Sequence, residues 1–303
     1  MEIPMRITTL GFLAAAVCAP GSSDAAFWLP TNVGIGADAE VRESNPTQNR
    51  GASTEIASRV KNDSISGNAN DGNDRNSAIY TKFDITGQAM PDDGHTAFRM
   101  SYRNNNLNET RIQDSITPNP AIRTGLAVYG LNNPDLGSWD ESTITYLNAP
   151  GITLDGDVGT KDFNSDLTFL GTVAFPEIGS QNWLPVGGFL EFRSAAFDSF
   201  LADAIANGQS SITLVSTVIH GGDAPFPNWL NFNYLFNPKE QITLNNDPNY
   251  DADTNNPNNP LGSPWSGADN STGDFSPQIL LAPEPASAAI LGLLTLVALR
   301  HRR

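Results

Sequence analysis

Cysteine is almost absent from this 303-residue chain: there is one, Cys18, inside an apolar N-terminal stretch. The remaining sequence can build neither a disulfide framework nor a thiolate metal site. Histidine is scarce too, at three residues, of which His95 and His220 lie in the body of the chain. There is no G-x-S-x-G nucleophile elbow and no H-E-x-x-H zinc pair, which removes the signatures of serine hydrolases and zinc peptidases. His220-Gly221-Gly222 before Asp223 reads as a turn after a strand rather than an oxyanion loop. Positive charge is the next shortage. Seventeen Lys and Arg face 33 Asp and Glu, a net charge of −16, so the chain repels nucleic acid and anionic lipid and favours divalent cations.

Long hydrophobic runs are confined to the two ends. Residues 7–17 form an uncharged, largely apolar stretch after Arg6, and Ser23-Asp24-Ala25 offers a small-x-small cleavage site, the pattern of a signal peptide over residues 1–25. Cys18 sits in that leader behind Val17, where a lipoprotein box would need a small residue. At the other end, residues 286–299 carry no charge and are followed by Arg300, His301, Arg302 and Arg303. As a helix this run would reach about 21 Å, short of a ~30 Å hydrocarbon core, which makes it a marginal membrane span with its basic end on the cytoplasmic side.

Pro283, Glu284 and Pro285 stand directly before that run. Motif, apolar run and basic end together resemble the PEP-CTERM sorting signal of exported proteins in bacteria that make extracellular polysaccharide. The resemblance implies that an exosortase recognises Pro283, Glu284 and Pro285 and removes the tail. It also implies a transient inner-membrane anchor, then release to the cell surface or extracellular matrix.

Between the ends, residues 27–282 offer enough chain for one large all-β domain or for two smaller ones, and length alone does not decide. Their apolar segments are short, rich in β-branched and aromatic residues, and separated by Asn, Asp, Gly and Pro, which predicts an all-β fold. Strands are expected over 37–43, 77–85, 96–104, 125–131, 143–147, 167–175, 187–193, 211–219, 230–236 and 276–281. In 77–85, Ile79, Thr81, Phe83 and Ile85 alternate with Tyr80, Lys82 and Asp84, as a half-buried strand would. Phe197, Phe200, Leu201 and Ile205 fall at helical spacing and predict one short helix that closes an end of the sheet packing.

Three segments carry a second resemblance: Ala37-Asp38-Ala39-Glu40-Val41-Arg42, Tyr80-Thr81-Lys82-Phe83-Asp84-Ile85, and the run from Trp139-Asp140-Glu141 through Ile144 to Ala149-Pro150. In this order they resemble the DNRLRE-type domain, whose members are secreted β-sandwiches of jelly-roll type with carbohydrate-binding relatives, some of which recognise acidic polysaccharide. The Ser-Arg-Glu triplet usual in that family before the closing strand is missing from the polar insertion at 245–274. What the resemblance implies is a jelly-roll-like β-sandwich with one short helix, more than it implies an activity.

Glycan binding uses an aromatic platform flanked by amides and carboxylates. Tyr102, Tyr129, Trp183, Trp229, Tyr234 and Trp265 are the aromatic candidates, and Trp229 and Tyr234 lead them because Asn228, Asn231 and Asn233 interleave with them. For a metal, Asp251, Asp253 and Asn255 sit at alternating positions like the first oxygens of a calcium loop, but Asn256 stands where the loop needs Gly and Gly262 where it needs Glu. Calcium at this loop and a solvated, metal-free loop remain two readings. Three functions are open at this level. One is a non-catalytic, exported carbohydrate-binding protein with extracellular polysaccharide as partner, another is a structural surface protein without a specific glycan, and the third is a polysaccharide-degrading enzyme using a carboxylate pair.

Overall fold

The computed structural model describes residues 26–53, 55–61, 76–105, 125–152, 163–174, 189–218, 231–239 and 275–283, all within one compact unit, Ala25–Pro283. The leader at 1–25 and the tail from Glu284 onward lie outside these residues, as does the insertion at 245–274. No helix among the described residues is long and apolar enough to cross a membrane.

Strand is the main regular structure of the described residues, which hold a single α-helix. The strands are β1 (Phe27–Pro30), β2 (Ala37–Arg42), β3 (Ile56–Lys61), β4 (Ser77–Asp84), β5 (Gln88–Ala89), β6 (Phe98–Asn105), β7 (Gly125–Leu131), β8 (Leu167–Ala174), β9 (Phe189–Phe192), β10 (Ser211–Val218), β11 (Asn231–Phe236) and β12 (Gln278–Pro283). The helix α1 spans Ala195–Ala206, and a short 3-10 helix spans Pro134–Ser138. Every strand pair is antiparallel. One continuous hydrogen-bonded path runs β1-β12-β6-β11-β3-β4-β10-β7-β8, with β2 on β4, β5 on β12 and β9 on β6.

This sheet curls so that its two halves face a common core. Leu29, Phe98, Met100, Leu190, Phe192, Ile279 and Leu281 come from the β1-β12-β6-β9 half, and Ile79, Phe83, Leu126, Val128, Ile212 and Leu214 from the other. Full burial of each such side chain contributes about 1.5–3 kcal/mol. Phe83 and Phe98 meet edge to face across the core at 6.0 Å.

Helix α1 adds Phe197, Leu201 and Ala204 to this core. Its limits follow from local chemistry. Ser194 Oγ accepts the Phe197 N–H at 3.0 Å and donates to the Leu170 carbonyl at 2.7 Å, capping one end. At the other, Gly208 turns left-handed at φ 67°, its N–H reaching the Ile205 carbonyl while Gln209 N–H reaches that of Ala204.

Two sequence expectations need correction. Strand β4 is buried on both faces rather than half-buried: Ile79 and Phe83 enter the main core, while Ala78 and Tyr80 enter a second cluster with Ala39, Val41, Trp139, Ile144, Ala149 and Val215. The expected strand at 143–147 is a run of turns. The Asp140 carbonyl takes the N–H groups of Thr143 and Ile144, and Asn148 Oδ1 takes that of Thr145 at 2.6 Å, so local acceptors replace a ladder. This turn-rich segment is what covers the outer face of β4.

Candidate functional site

The β1-β12-β6-β9 half sends its apolar residues inward and leaves a different set outside. Gln278, Arg99 and Glu191 stand opposite one another across β12, β6 and β9, and residues directly opposite in an antiparallel ladder share a face. Trp28 pairs with Leu280, two residues from Gln278, and Phe189 pairs with Ser101, two residues from Arg99. The outer face therefore carries Trp28, Arg99 and Phe189 on a diagonal.

Their side chains stack. The Arg99 guanidinium carbon lies 3.7 Å from the Trp28 ring centroid and 4.0 Å from that of Phe189. Arg99 Nε donates to Gln278 Oε1 at 2.7 Å, which fixes the plane of the guanidinium. Each such cation and ring contact is worth about 0.5–2 kcal/mol, depending on desolvation. Beside the stack, the exposed Glu191 carboxylate accepts from Arg193 Nε at 2.6 Å. The result is a pre-set, partly exposed indole and phenyl ring with guanidinium and carboxylate groups at their edges, above the buried amide of Gln278. Such a surface offers apolar contact to the C–H face of a sugar ring and hydrogen-bonding groups to its hydroxyls.

A second aromatic group stands on the outer face of the other half of the sheet, at β7 and β8. Tyr129 on β7 lies 4.7 Å from Phe163 and 5.5 Å from Phe169 on β8 between ring centroids. Burial pushes the Tyr129 phenol above its ordinary pKa, whereas Phe169 is 54% exposed. This group is the more apolar of the two.

A third cluster is built from charge. Glu40, fully buried on β2, is surrounded by Arg42, Arg50 and Arg59, with Arg50 Nε at 3.3 Å and Arg59 Nε at 3.6 Å from its carboxylate. Burial lowers the Arg59 pKa, and the attraction of Glu40 opposes that shift. Two residues earlier, Asp38 accepts from Thr31 Oγ1 at 2.6 Å and from the Lys239 N–H at 3.1 Å. Its own N–H donates to Glu141 Oε1 at 3.0 Å, and Glu141 Oε2 holds Lys239 Nζ at 2.6 Å. The Asp38, Glu141 and Lys239 contacts tie β2 to the segment that follows Trp139.

The three motifs of the DNRLRE resemblance meet here. Ala39 on β2 stands opposite Tyr80 on β4, and Tyr80 meets Trp139 edge to face at 6.0 Å. Lys82 Nζ lies 4.5 Å from the Trp139 ring centroid and donates to the carbonyls of Gly137 and Trp139. Burial lowers the Lys82 pKa, with Asp140 and Glu141 pulling the other way. Their role in this structure is to hold a sheet face and its cover together.

Of the residues expected to bind sugar, Tyr234 is removed by its position. It has 0% exposure, and its ring belongs to the main core, so it presents no face to a ligand. Asn231 begins β11 opposite Lys61, and nothing of its side chain is described. Trp229, Trp183 and Trp265 lie outside the described residues, as do Asp251, Asp253 and Asn255 and the residues Glu284 and Pro285. Pro283 is the last residue of β12, opposite Gln88 on β5. Tyr102 is buried against Phe236. His95 is exposed and bonded to Asp198 at 3.1 Å, and His220 lies outside the described residues. Among the described residues no group of three or more His, Cys, Asp or Glu is placed to hold a metal ion.

Sequence reasoning missed Trp28, Phe189, Gln278 and Arg99. The signal was present in part: Phe98-Arg99-Met100 alternates apolar and charged, which puts Arg99 alone on the outer face of a strand. Trp28 was harder to find, because Phe27-Trp28-Leu29-Pro30 follows the apolar leader and is too short to alternate visibly. No protein-family model matches the chain, and comparison with curated proteins gives no match.

Proposed function

We propose that the chain is an exported, non-catalytic, carbohydrate-binding protein of the cell surface or extracellular matrix. In this reading its domain is a jelly-roll-like β-sandwich of the DNRLRE type. Its last residues act as a PEP-CTERM signal, processed by an exosortase at Pro283, Glu284 and Pro285. The observation that carries the binding half is the outer face of β1-β12-β6-β9, where Arg99 stacks on Trp28 and Phe189 beside Gln278 and Glu191. Holding the rings in place before a ligand arrives lowers the ordering cost of binding. Calcium enters only through the loop at Asp251, Asp253 and Asn255, as an ion that would bridge an acidic glycan to an acidic protein.

The test is saturable binding of the purified exported protein to a panel of neutral and acidic polysaccharides, with calcium and again with chelator. Trp28→Ala is expected to weaken binding at least about tenfold, the loss typical of a central aromatic anchor. Chelator sensitivity would bring in the Asp251 loop. Absence of binding to every polymer would sink the reading.

One observation favours a structural surface protein instead. Phe169 is exposed on β8, which ends the strand path among the described residues, and an exposed aromatic edge strand favours pairing with another chain. Concentration-dependent self-association that is lost in Phe169→Lys, with no glycan binding, is the outcome that would select it.

A further inference from the structure

The outer face described above is assembled from the two ends of the described unit. Trp28 lies on β1, the first strand, and Gln278 and Leu280 lie on β12, the last. Among the described residues β1 pairs only with β12, in the register Phe27↔Leu281, Trp28↔Leu280, Leu29↔Ile279 and Pro30↔Gln278. β12 is itself held on several sides. Ile279 and Leu281 are fully buried in the core, Leu280 N–H donates to the Ala97 carbonyl at 2.8 Å, and Thr96 Oγ1 donates to the Leu280 carbonyl at 2.6 Å. The Thr31 N–H closes the clasp on the Pro277 carbonyl at 3.0 Å.

The strand runs without a spacer into the sorting motif. Ala282 is buried opposite Ala89, and Pro283, the first residue of the Pro283-Glu284-Pro285 triplet, stands opposite Gln88. A peptidase binds its substrate as an extended strand, with several residues on the amino side of the cut bond seated in its cleft. In the docked state those residues are Leu281, Ala282 and Pro283, which already occupy a sheet. Cleavage at such a junction acts on the opened form, at a rate set by how often that form is present.

We propose that β12 is a switch shared by tail processing and ligand binding. While β12 is undocked, the chain is a substrate for cleavage at the Pro283–Pro285 motif but lacks its Trp28 face. Once β12 is docked, the face is complete and the junction is closed. This rests on the reading of both ends given under the proposed function. In the cleavage itself water attacks the peptide carbonyl and the C–N bond breaks, leaving a carboxylate on the domain and an amine on the tail. A ligand on the Trp28 face binds the docked form, so it slows cleavage by the factor by which undocking weakens its binding.

The experiment follows tail removal from the full chain in the producing cells by pulse-chase, using two variants. The first inserts ten Gly and Ser residues between Ala282 and Pro283, keeping the motif whole and giving the peptidase an extended segment outside the sheet. The second is Ala89→Cys with Ala282→Cys, an opposite pair on β5 and β12 in a chain whose single cysteine is in the leader; oxidation locks β12 in place. The spacer chain is expected to lose its tail at least fivefold faster than the unaltered chain, and the locked chain at least fivefold slower when oxidised than when reduced. Equal rates for oxidised and reduced forms, or for spacer and unaltered chains, would overturn the switch while leaving the sorting signal intact. If no variant loses its tail, the sorting reading falls and the switch falls with it.

Discussion

The hydroxyl of Tyr80, in the middle of β4, donates to the backbone carbonyl of Pro150 at 2.8 Å. The ring beneath that hydroxyl is fully buried against Trp139, and burial raises the phenol well above its ordinary pKa. One side chain thus joins the central sheet to both ends of the segment that covers it. Tyr80→Phe is expected to cost about 1 kcal/mol, the worth of one buried hydrogen bond. Trp139→Ala should cost about 3–5 kcal/mol, because it also empties the second core and strips Lys82 of its ring. Urea unfolding of the two variants checks the order; a Tyr80→Phe loss equal to that of Trp139→Ala would contradict it.

Removing the carboxylate that holds three arginines should be more damaging than removing any one arginine. Glu40→Gln leaves Arg42, Arg50 and Arg59 facing one another without their buried counter-charge, and a broken buried pair costs about 3–5 kcal/mol. Arg50→Gln leaves two guanidiniums on the same carboxylate, so its cost should be smaller. Denaturant midpoints measured side by side decide the ranking.

Asp84 predicts a dependence on acid. Burial works to raise its pKa, but hydrogen bonds from the Thr86 side chain and N–H and from the Ile35 N–H outweigh it, so the net shift is downward. The stabilisation is therefore complete above the unfolded value near ~3.9 and is lost as pH falls through the lower, folded value. Melting temperatures of the native chain and Asp84→Asn should differ at neutral pH and converge in acid. Gly34 lies under the same carboxylate at φ 59°, where an added Cβ would fall 1.9 Å from Asp84 Oδ2. Gly34→Ala is expected to cost more than about 1 kcal/mol at neutral pH.

His95 predicts the opposite dependence. Its hydrogen bond to Asp198, then the charges of Asp198 and Asp93, raise its pKa. The stabilisation is complete below the ordinary histidine value and is lost as pH rises through the raised, folded one. The melting-temperature difference between the native chain and His95→Ala should therefore narrow on going from mildly acid to alkaline solution.

What could be read from the sequence followed periodicity. Strand β7 has its expected bounds, and β4, β8 and β10 match to within a residue, since each is a run of β-branched and apolar residues between turn formers. β3 went unseen because Ile56-Ala57-Ser58-Arg59-Val60-Lys61 mixes small and charged residues, and its burial depends on partners distant in sequence. The segment after Trp139 carried strand-forming Thr, Ile and Tyr, yet Asp140 and Asn148 gave the backbone nearer partners than any strand. The Trp28 face was illegible for a related reason. It exists only where strands from positions near 28, 99, 190 and 278 lie side by side, an adjacency set by topology rather than by local pattern.

The pairing of Phe27 with Leu281 has a further consequence for chain connectivity. Because the described unit starts and finishes on neighbouring strands, a linker of a few residues could join position 26 to position 283, and new termini could open at the exposed turn of Asp92, Asp93 and Gly94. Such a circular permutant would keep every strand pair between β1 and β12. It would turn the last hairpin of the sheet from a meeting of distant ends into a local contact, shortening the loop that must close before β12 can join.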